Sequence, residues 1–211
     1  MKGLKLKVCG MKFAANVAAV ASLQPDYLGF IFYDKSPRLI SDVSAELIKY
    51  IPSEIRTVGV FVDEDLELVQ KKVNLYQLKA VQLHGGESPQ YCAALKNNLN
   101  SLEVIKAFGV DEDFDFSILN AYAAVVDYFL FDTKTKAHGG SGKTFDWKIL
   151  DGYPLDKPYF LSGGIDLEHA AAINAMEDSR LYALDINSRF EVEPGVKDAE
   201  KIKEFIKEME K

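Results

Sequence analysis

The sequence predicts an α/β protein, a single TIM (β/α)8 barrel domain spanning residues 1–211, and three observations carry that expectation. Short apolar runs alternate with helical patterns along the whole chain, which implies parallel strands joined by right-handed crossovers. Eight such runs, starting roughly 20 to 30 residues apart, fit into 211 residues, near the lower end of the range of about 200 to 400 for such barrels. The competing architecture, an open doubly wound sheet that binds nucleotides, calls for Gly-x-Gly-x-x-Gly after its first strand, and Val8-Cys-Gly-Met-Lys-Phe13 does not supply it.

The eight strand candidates are Leu4 to Cys9, Tyr27 to Phe32, Thr57 to Val62, Ala80 to Leu83, Glu103 to Phe108, Tyr128 to Asp132, Tyr159 to Ser162 and Tyr182 to Ile186. Most are rich in β-branched or aromatic residues, which suit a buried pleated surface. Helical spacing marks Phe13 to Leu23, Ser44 to Ile51, Glu64 to Leu75, Pro89 to Leu99, Asp166 to Met176 and Val196 to Glu210. The segments after strands five and six, near Phe114 to Ala123 and Phe145 to Leu150, leave room only for short helices.

A net charge of -7 is spread along the chain with no basic stripe, which argues against nucleic acid as a partner. Lysine alternates with leucine over Met1 to Lys7, unlike a signal peptide, and no apolar run reaches the length of about 18 residues that a membrane span needs. A cytoplasmic protein is expected. Cys9 and Cys92 are too few for a disulfide framework and lie in no zinc-ligand spacing, so reduced thiols and no metal are expected.

In a barrel, function sits where strands end, because the following loops build the active face. Strand six ends at Asp132, ahead of the glycine-rich, lysine-bearing loop Gly139-Gly-Ser-Gly-Lys-Thr144. A titratable carboxyl beside a backbone suited to an anion suggests chemistry on a phosphorylated small molecule. On strand one, alternation puts Lys5, Lys7 and Cys9 on the inward face and Leu4, Leu6 and Val8 outward. A buried cysteine is usually inert, but the Lys7 ammonium is expected to stabilise a thiolate and bring Cys9 below the usual thiol range of about 8.5.

After strand two, Pro37 restrains the backbone so that Arg38 can stand over the strand ends as a fork for carboxylate or phosphate. Strand four ends in Gln82-Leu-His84-Gly85. His84 reads either as a proton carrier or ligand donor, or as a satisfied histidine of a polar mouth. The second reading is preferred, because Cys9 and Asp132 already form an acid-base pair. His138 and His169 receive no role. Gly163 and Gly164 after strand seven expose backbone N–H groups, and Asp185-Ile-Asn187-Ser188-Arg189 follows on strand eight. Barrel phosphates commonly sit in the loops after strands seven and eight, and Gly142 joins them from loop six.

Taken in order, Lys7-Val-Cys-Gly-Met11, Gly29-Phe-Ile-Phe-Tyr-Asp-Lys-Ser-Pro-Arg38, Val58-Gly-Val-Phe-Val62, Val81-Gln-Leu-His-Gly85, Asp132-Thr-Lys134, Gly139 to Trp147, Leu161-Ser-Gly-Gly-Ile165 and Glu193-Pro-Gly-Val-Lys-Asp198 resemble the phosphoribosylanthranilate isomerases of tryptophan biosynthesis over nearly the whole length. The resemblance implies an Amadori rearrangement without metal or cofactor, with Asp132 the general acid that opens the ribose ring and Cys9 the general base at sugar C2. It also implies that Arg38 binds the anthranilate carboxylate and that Gly142, Gly163, Gly164 and Ser188 cradle the phosphate. Gln82, His84, Asp185 and Asn187 are expected to line the substrate site. The expected partner is a small phosphorylated substrate, with neither nucleic acid nor membrane, for a monomer or homodimer.

The chain departs from the family at Ser188-Arg-Phe-Glu191, where Ser-Gly-Val-Glu is common: an arginine in place of glycine disfavours a left-handed backbone, and Arg189 is expected to support or cover the phosphate end. Asp63 stands where asparagine is frequent. Other phosphosugar barrels share the phosphate end but need lysine and glutamates or a metal cluster. A silent phosphate-binding sensor would have lost the acid and base.

Overall fold

The structure is a computed structural model that describes residues 3–40, 51–134 and 145–211. Eight parallel strands close on themselves: β1 (Lys5–Val8), β2 (Tyr27–Ile31), β3 (Arg56–Phe61), β4 (Ala80–Leu83), β5 (Glu103–Val110), β6 (Tyr128–Thr133), β7 (Tyr159–Leu161) and β8 (Leu181–Ile186), with β8 returning to pair with β1. The register Lys7 opposite Asp185 completes the ring. The expected TIM barrel is therefore present, and the strand boundaries hold to within two residues at every end.

Period-two alternation sorts each strand into a helix-facing and a barrel-facing set. Leu6, Val8, Leu28, Phe30, Val81, Leu83, Phe129, Phe131, Leu184 and Ile186 join the outer core under the helices. The inward set changes character along the axis. Its lower part is apolar, formed by Tyr27, Val58, Ala80, Ile105, Ala107, Leu130, Phe160 and Ala183. The bottom is closed by tyrosines, with Tyr27 and Tyr182 hydroxyls 3.1 Å apart and Tyr128 stacked on Tyr182. One step further up, the inward set turns polar: Lys7, Gln82 and Asp185 are all buried.

The helices are α1 (Ala14–Ala21), α2 (Leu66–Leu75), α3 (Pro89–Asn98), α4 (Ala170–Asn174) and α5 (Ala199–Met209). Asp65 caps α2 and Ser88 caps α3, each accepting from first-turn N–H groups. Among the described residues, the segments after β5 and β6 carry short 3-10 turns, Phe116–Ala121 and Trp147–Gly152, as their length required. The expected helices that fall on described residues are all trimmed at one end or both, and the last two start well inside the expected span. Val196 and Lys197 leave the last helix to form β10 (Val196–Lys197), hairpinned on β9 (Glu191–Glu193), so Asp198 becomes the cap of α5. Asp166 to Met176 opens as a 3-10 turn, where Asp166 and His169 make a reciprocal capping box, giving His169 a structural role. The expected helix Ser44 to Ile51 lies, but for its last residue, outside the described residues. No helix among the described residues is long and apolar enough to cross a membrane.

One buried ion pair holds the turn after β4. Lys106 points outward from β5, 3.1 Å from Glu87, with both side chains 2 % exposed. Its ammonium also donates to the carbonyls of Gly85 at 2.7 Å and Ala107 at 3.1 Å, while Glu87 accepts from the N–H groups of Asp63 and Gly85. Such a pair is strongly destabilised when one partner is removed, because the survivor is left charged in a dry site. Lys106→Met should therefore lower the unfolding free energy by about 3 kcal/mol in urea titrations, and a loss below about 0.5 kcal/mol would show that the pair holds nothing.

Candidate active site

The polar layer is organised by Lys7. Its ammonium donates to Asp185 Oδ2 and to Gln82 Oε1, both at 2.7 Å. Burial alone would draw the ammonium down, but Asp185 and Cys9 more than offset it and Lys7 is held above its ordinary range. Because Gln82 spends its oxygen on Lys7, its amide nitrogen faces His84 Nδ1 at 2.9 Å as a donor. That places the imidazole proton on Nε2, which lies 3.5 Å from Asp132 Oδ2. A relay thus runs from β1 through β4 to the carboxyl at the end of β6. His84, read from sequence as a merely satisfied residue, is directly beside Asp132.

Asp132 also accepts the N–H of Thr133 through Oδ1 at 2.8 Å. Its carboxyl is pushed up to about 6, chiefly by burial. Gly163 makes this arrangement possible: at φ +89° it occupies the left-handed region, and an added Cβ would come within 2.9 Å of Asp132 Oδ1 and closer still to Thr133. Gly164 has φ +68°, so the loop after β7 folds onto the end of β6 through two left-handed glycines.

Cys9 is 4 % exposed, and its N–H bonds Ile186 O at 2.9 Å. A Cβ on Gly29 would stand 2.9 Å from Cys9 Sγ and 3.3 Å from Lys7 Cε, so β2 leaves room for both inward side chains. The expected low thiol pKa is overturned. Burial is the largest influence and pushes the thiol above its ordinary range, Asp185 adds to it, and Lys7 and Lys197 only partly oppose them.

Arg38 is placed by a turn in which its N–H donates to Ser36 Oγ at 3.1 Å. Its fork grips Glu191, with Nε 2.9 and 3.0 Å from the two oxygens and Nη2 2.6 Å from Oε2. Glu191 receives Lys197 Nζ at 2.6 Å and the N–H of Gly195 at 3.1 Å, and Lys197 donates also to Asn187 Oδ1 at 2.6 Å. Burial pushes Glu191 up, yet Arg38 and Lys197 more than offset it and hold the carboxylate below its ordinary range. Sequence reasoning gave Glu191 and Lys197 no role. The signal was present in Glu193-Pro-Gly-Val-Lys197, whose Pro-Gly turn folds a lysine back onto the strand-eight loop.

Ser188 opens a 3-10 turn, Ser188–Phe190, in which Arg189 does not adopt a left-handed backbone, so the arginine in place of glycine is accommodated. The Arg189 carbonyl accepts from Lys201 Nζ at 2.7 Å. Asp63 has φ +51° and accepts the N–H of Gly86 at 2.6 Å, a conformation that asparagine and aspartate both tolerate. Gly142 and His138 lie outside the described residues. Asp185 keeps one oxygen, Oδ1, buried without a hydrogen-bond partner among the described residues.

Three comparisons bear on this geometry. The family model described as N-(5'phosphoribosyl)anthranilate (PRA) isomerase matches residues 6–208. A relative from Parabacteroides distasonis, named N-(5'-phosphoribosyl)anthranilate isomerase, is 43% identical over 206 residues, covering 97% of this chain and 92% of its own length. The crystal structure of phosphoribosyl anthranilate isomerase from Thermotoga maritima superposes with a TM-score of 0.86 at 36% identity, with 98% of each chain covered. A phosphoribosyl anthranilate isomerase in complex with reduced 1-(o-carboxyphenylamino)-1-deoxyribulose 5-phosphate gives 0.82 at 32% identity, again over 98% of each chain.

The raised Asp132 carboxyl carries a sign for stability. Its folded pKa of about 6 exceeds the ordinary 3.8, so the native state is favoured by protonation: the relative stabilisation is full below about 3.8 and is lost as pH rises through about 6. Asp132→Asn should accordingly be more stable than the parent at pH 8, by about 3 kcal/mol, with the difference vanishing toward pH 4. Chemical denaturation at the two pH values measures it, and equal stability at pH 8 would remove the buried-carboxyl reading.

Proposed function

The chain belongs to the N-(5'-phosphoribosyl)anthranilate isomerase family, and we propose that in the reaction it catalyses Asp132 is the general acid and Cys9 the general base. That reaction is the Amadori rearrangement of N-(5-phosphoribosyl)anthranilate to 1-(2-carboxyphenylamino)-1-deoxy-D-ribulose 5-phosphate, an aldose-ketose isomerisation in tryptophan biosynthesis. The observation that carries the assignment is the Asp132 carboxyl at about 6, a group that can hold and release a proton near neutral pH at the end of a barrel strand. Asp132 gives its proton to the ribose ring oxygen as the bond from that oxygen to C1 breaks, leaving a protonated Schiff base between C1 and the anthranilate nitrogen. Cys9 then takes the proton from C2, whose electron pair flows to the Schiff-base nitrogen and yields an enolamine. The enol hydroxyl loses its proton and C1 gains one, giving the ketone.

The other groups hold the substrate. Arg38 takes the anthranilate carboxylate beside Glu191, and the unpaired oxygen of Asp185 accepts a sugar hydroxyl. Backbone N–H groups at Gly163, Gly164 and Ser188 receive the phosphate. Gln82 and Asn187 orient His84 and Lys197, and His84 keeps Asp132 in place.

Because Cys9 lies above its ordinary range and Asp132 near 6, the reactive form carries the less common proton on each: acid protonated, thiol ionised. The fraction in that form is constant between the two pKa values and falls outside them. The profile of kcat/KM, followed by loss of substrate fluorescence, should therefore be level between about pH 6 and the thiol range, with the acid limb at about 6. A limb near pH 4 would take Asp132 out of this role. Cys9→Ser should lose at least about 100-fold in kcat, and full activity in that variant would place the base elsewhere.

Arg38→Ala should raise KM by about tenfold or more while kcat changes little, since its contact is remote from the reacting carbons and serves ground and transition states alike. An analogue without the carboxylate should react equally with both proteins. A parent protein indifferent to the carboxylate would contradict the assignment.

A further inference from the structure

Arg38, Glu191 and Lys197 contain two cations and one carboxylate, so the cluster carries one surplus positive charge, whereas Lys7 is matched by Asp185. The cluster packs around the backbone of Gly10, beside Cys9 in the chain. A Cβ built on Gly10, the next residue, would meet Arg38 Cδ and Asn187 Oδ1 at 2.8 Å and Lys197 Nζ at 3.4 Å. Lys197 is completely buried at its side chain, pinned by Glu191 and Asn187, and is held there by the hairpin from Glu191 to Lys197. We propose that Lys197 is a positioning residue for the base, its fixed ammonium supplying the surplus charge that stabilises the Cys9 thiolate.

The groups that face Cys9 are Lys7 on its own strand, Asp185 on β8 and Lys197 on β10. Glu191 pairs with Lys197 and Arg38 with Glu191, and among the described residues β2 brings Gly29 against Cys9 Sγ. Lys7 outweighs Asp185 at the thiol, and Lys197 adds to Lys7 in the same direction, against burial. Burial draws Lys197 below its ordinary range and Glu191 opposes this, while Nζ donates at 2.6 Å to both Asn187 and Glu191. The inference rests on Cys9 as base for its catalytic meaning, and not for its electrostatics. Since the reactive form requires an ionised thiol, each unit by which Lys197 lowers the thiol pKa raises that form about tenfold.

The test uses protein labelled with 13Cβ-cysteine, in which Cys9 and Cys92 give two signals that Cys92→Ala assigns. Lys197→Met should move the Cys9 titration midpoint up by about one unit or more, lower the plateau of kcat/KM by about tenfold and shift its alkaline limb upward. Lys197→Arg should restore most of the shift. Glu191→Gln, which removes the opposing charge and keeps the ammonium, should move the midpoint down, and serves if Lys197→Met does not fold. An unmoved Cys9 midpoint in Lys197→Met, or a midpoint that does not fall in Glu191→Gln, overturns the inference. A midpoint that moves while the rate profile stays put supports the inference and instead rejects Cys9 as base.

Discussion

The constraint on which the site depends is a lysine ammonium sealed inside the barrel. Lys7 is wholly buried, and a charge there persists only because Asp185 and Gln82 meet it at 2.7 Å. That single requirement fixes three things at once. It sets the orientation of the Gln82 amide, hence the tautomer of His84, hence which imidazole nitrogen faces Asp132. It ties β1 to β8 across the closure of the barrel and to β4 across its interior. It also spends one oxygen of Asp185 and leaves the other, Oδ1, buried without a hydrogen-bond partner among the described residues.

The barrel itself was legible because it is a local property repeated eight times. Apolar runs of strand length and the helical patterns between them each announce themselves within about ten residues, and the closure follows from their number. Element ends were less legible where a distant partner decides them. Val196 and Lys197 continue the helical pattern of α5 in sequence, but pairing with Glu191 to Glu193 draws them into a hairpin. The inward direction of Lys7 and Cys9 was readable from alternation alone.

The electrostatics of the site were not. Lys7 next to Cys9 suggested a thiol of low pKa, but the balance depends on burial and on Asp185, which stands 176 residues further along the chain than Cys9. Glu191 and Lys197 escaped for the same reason, since their meaning comes from Arg38 and Asn187, contacts that spacing cannot show. Asp63, an unexplained departure in sequence, became intelligible once its left-handed backbone and its bond to Gly86 were seen. Strand-end reading located the candidate groups, and tertiary contacts decided how each is tuned.

The tyrosine floor of Tyr27, Tyr128 and Tyr182 makes the barrel interior a vessel open at one end. A substrate that fills the mouth becomes the remaining dielectric boundary of the chamber, and its own carboxylate and phosphate are added to a charge balance that solvent no longer screens. The bound molecule thereby helps to set the acidity of the groups that act on it.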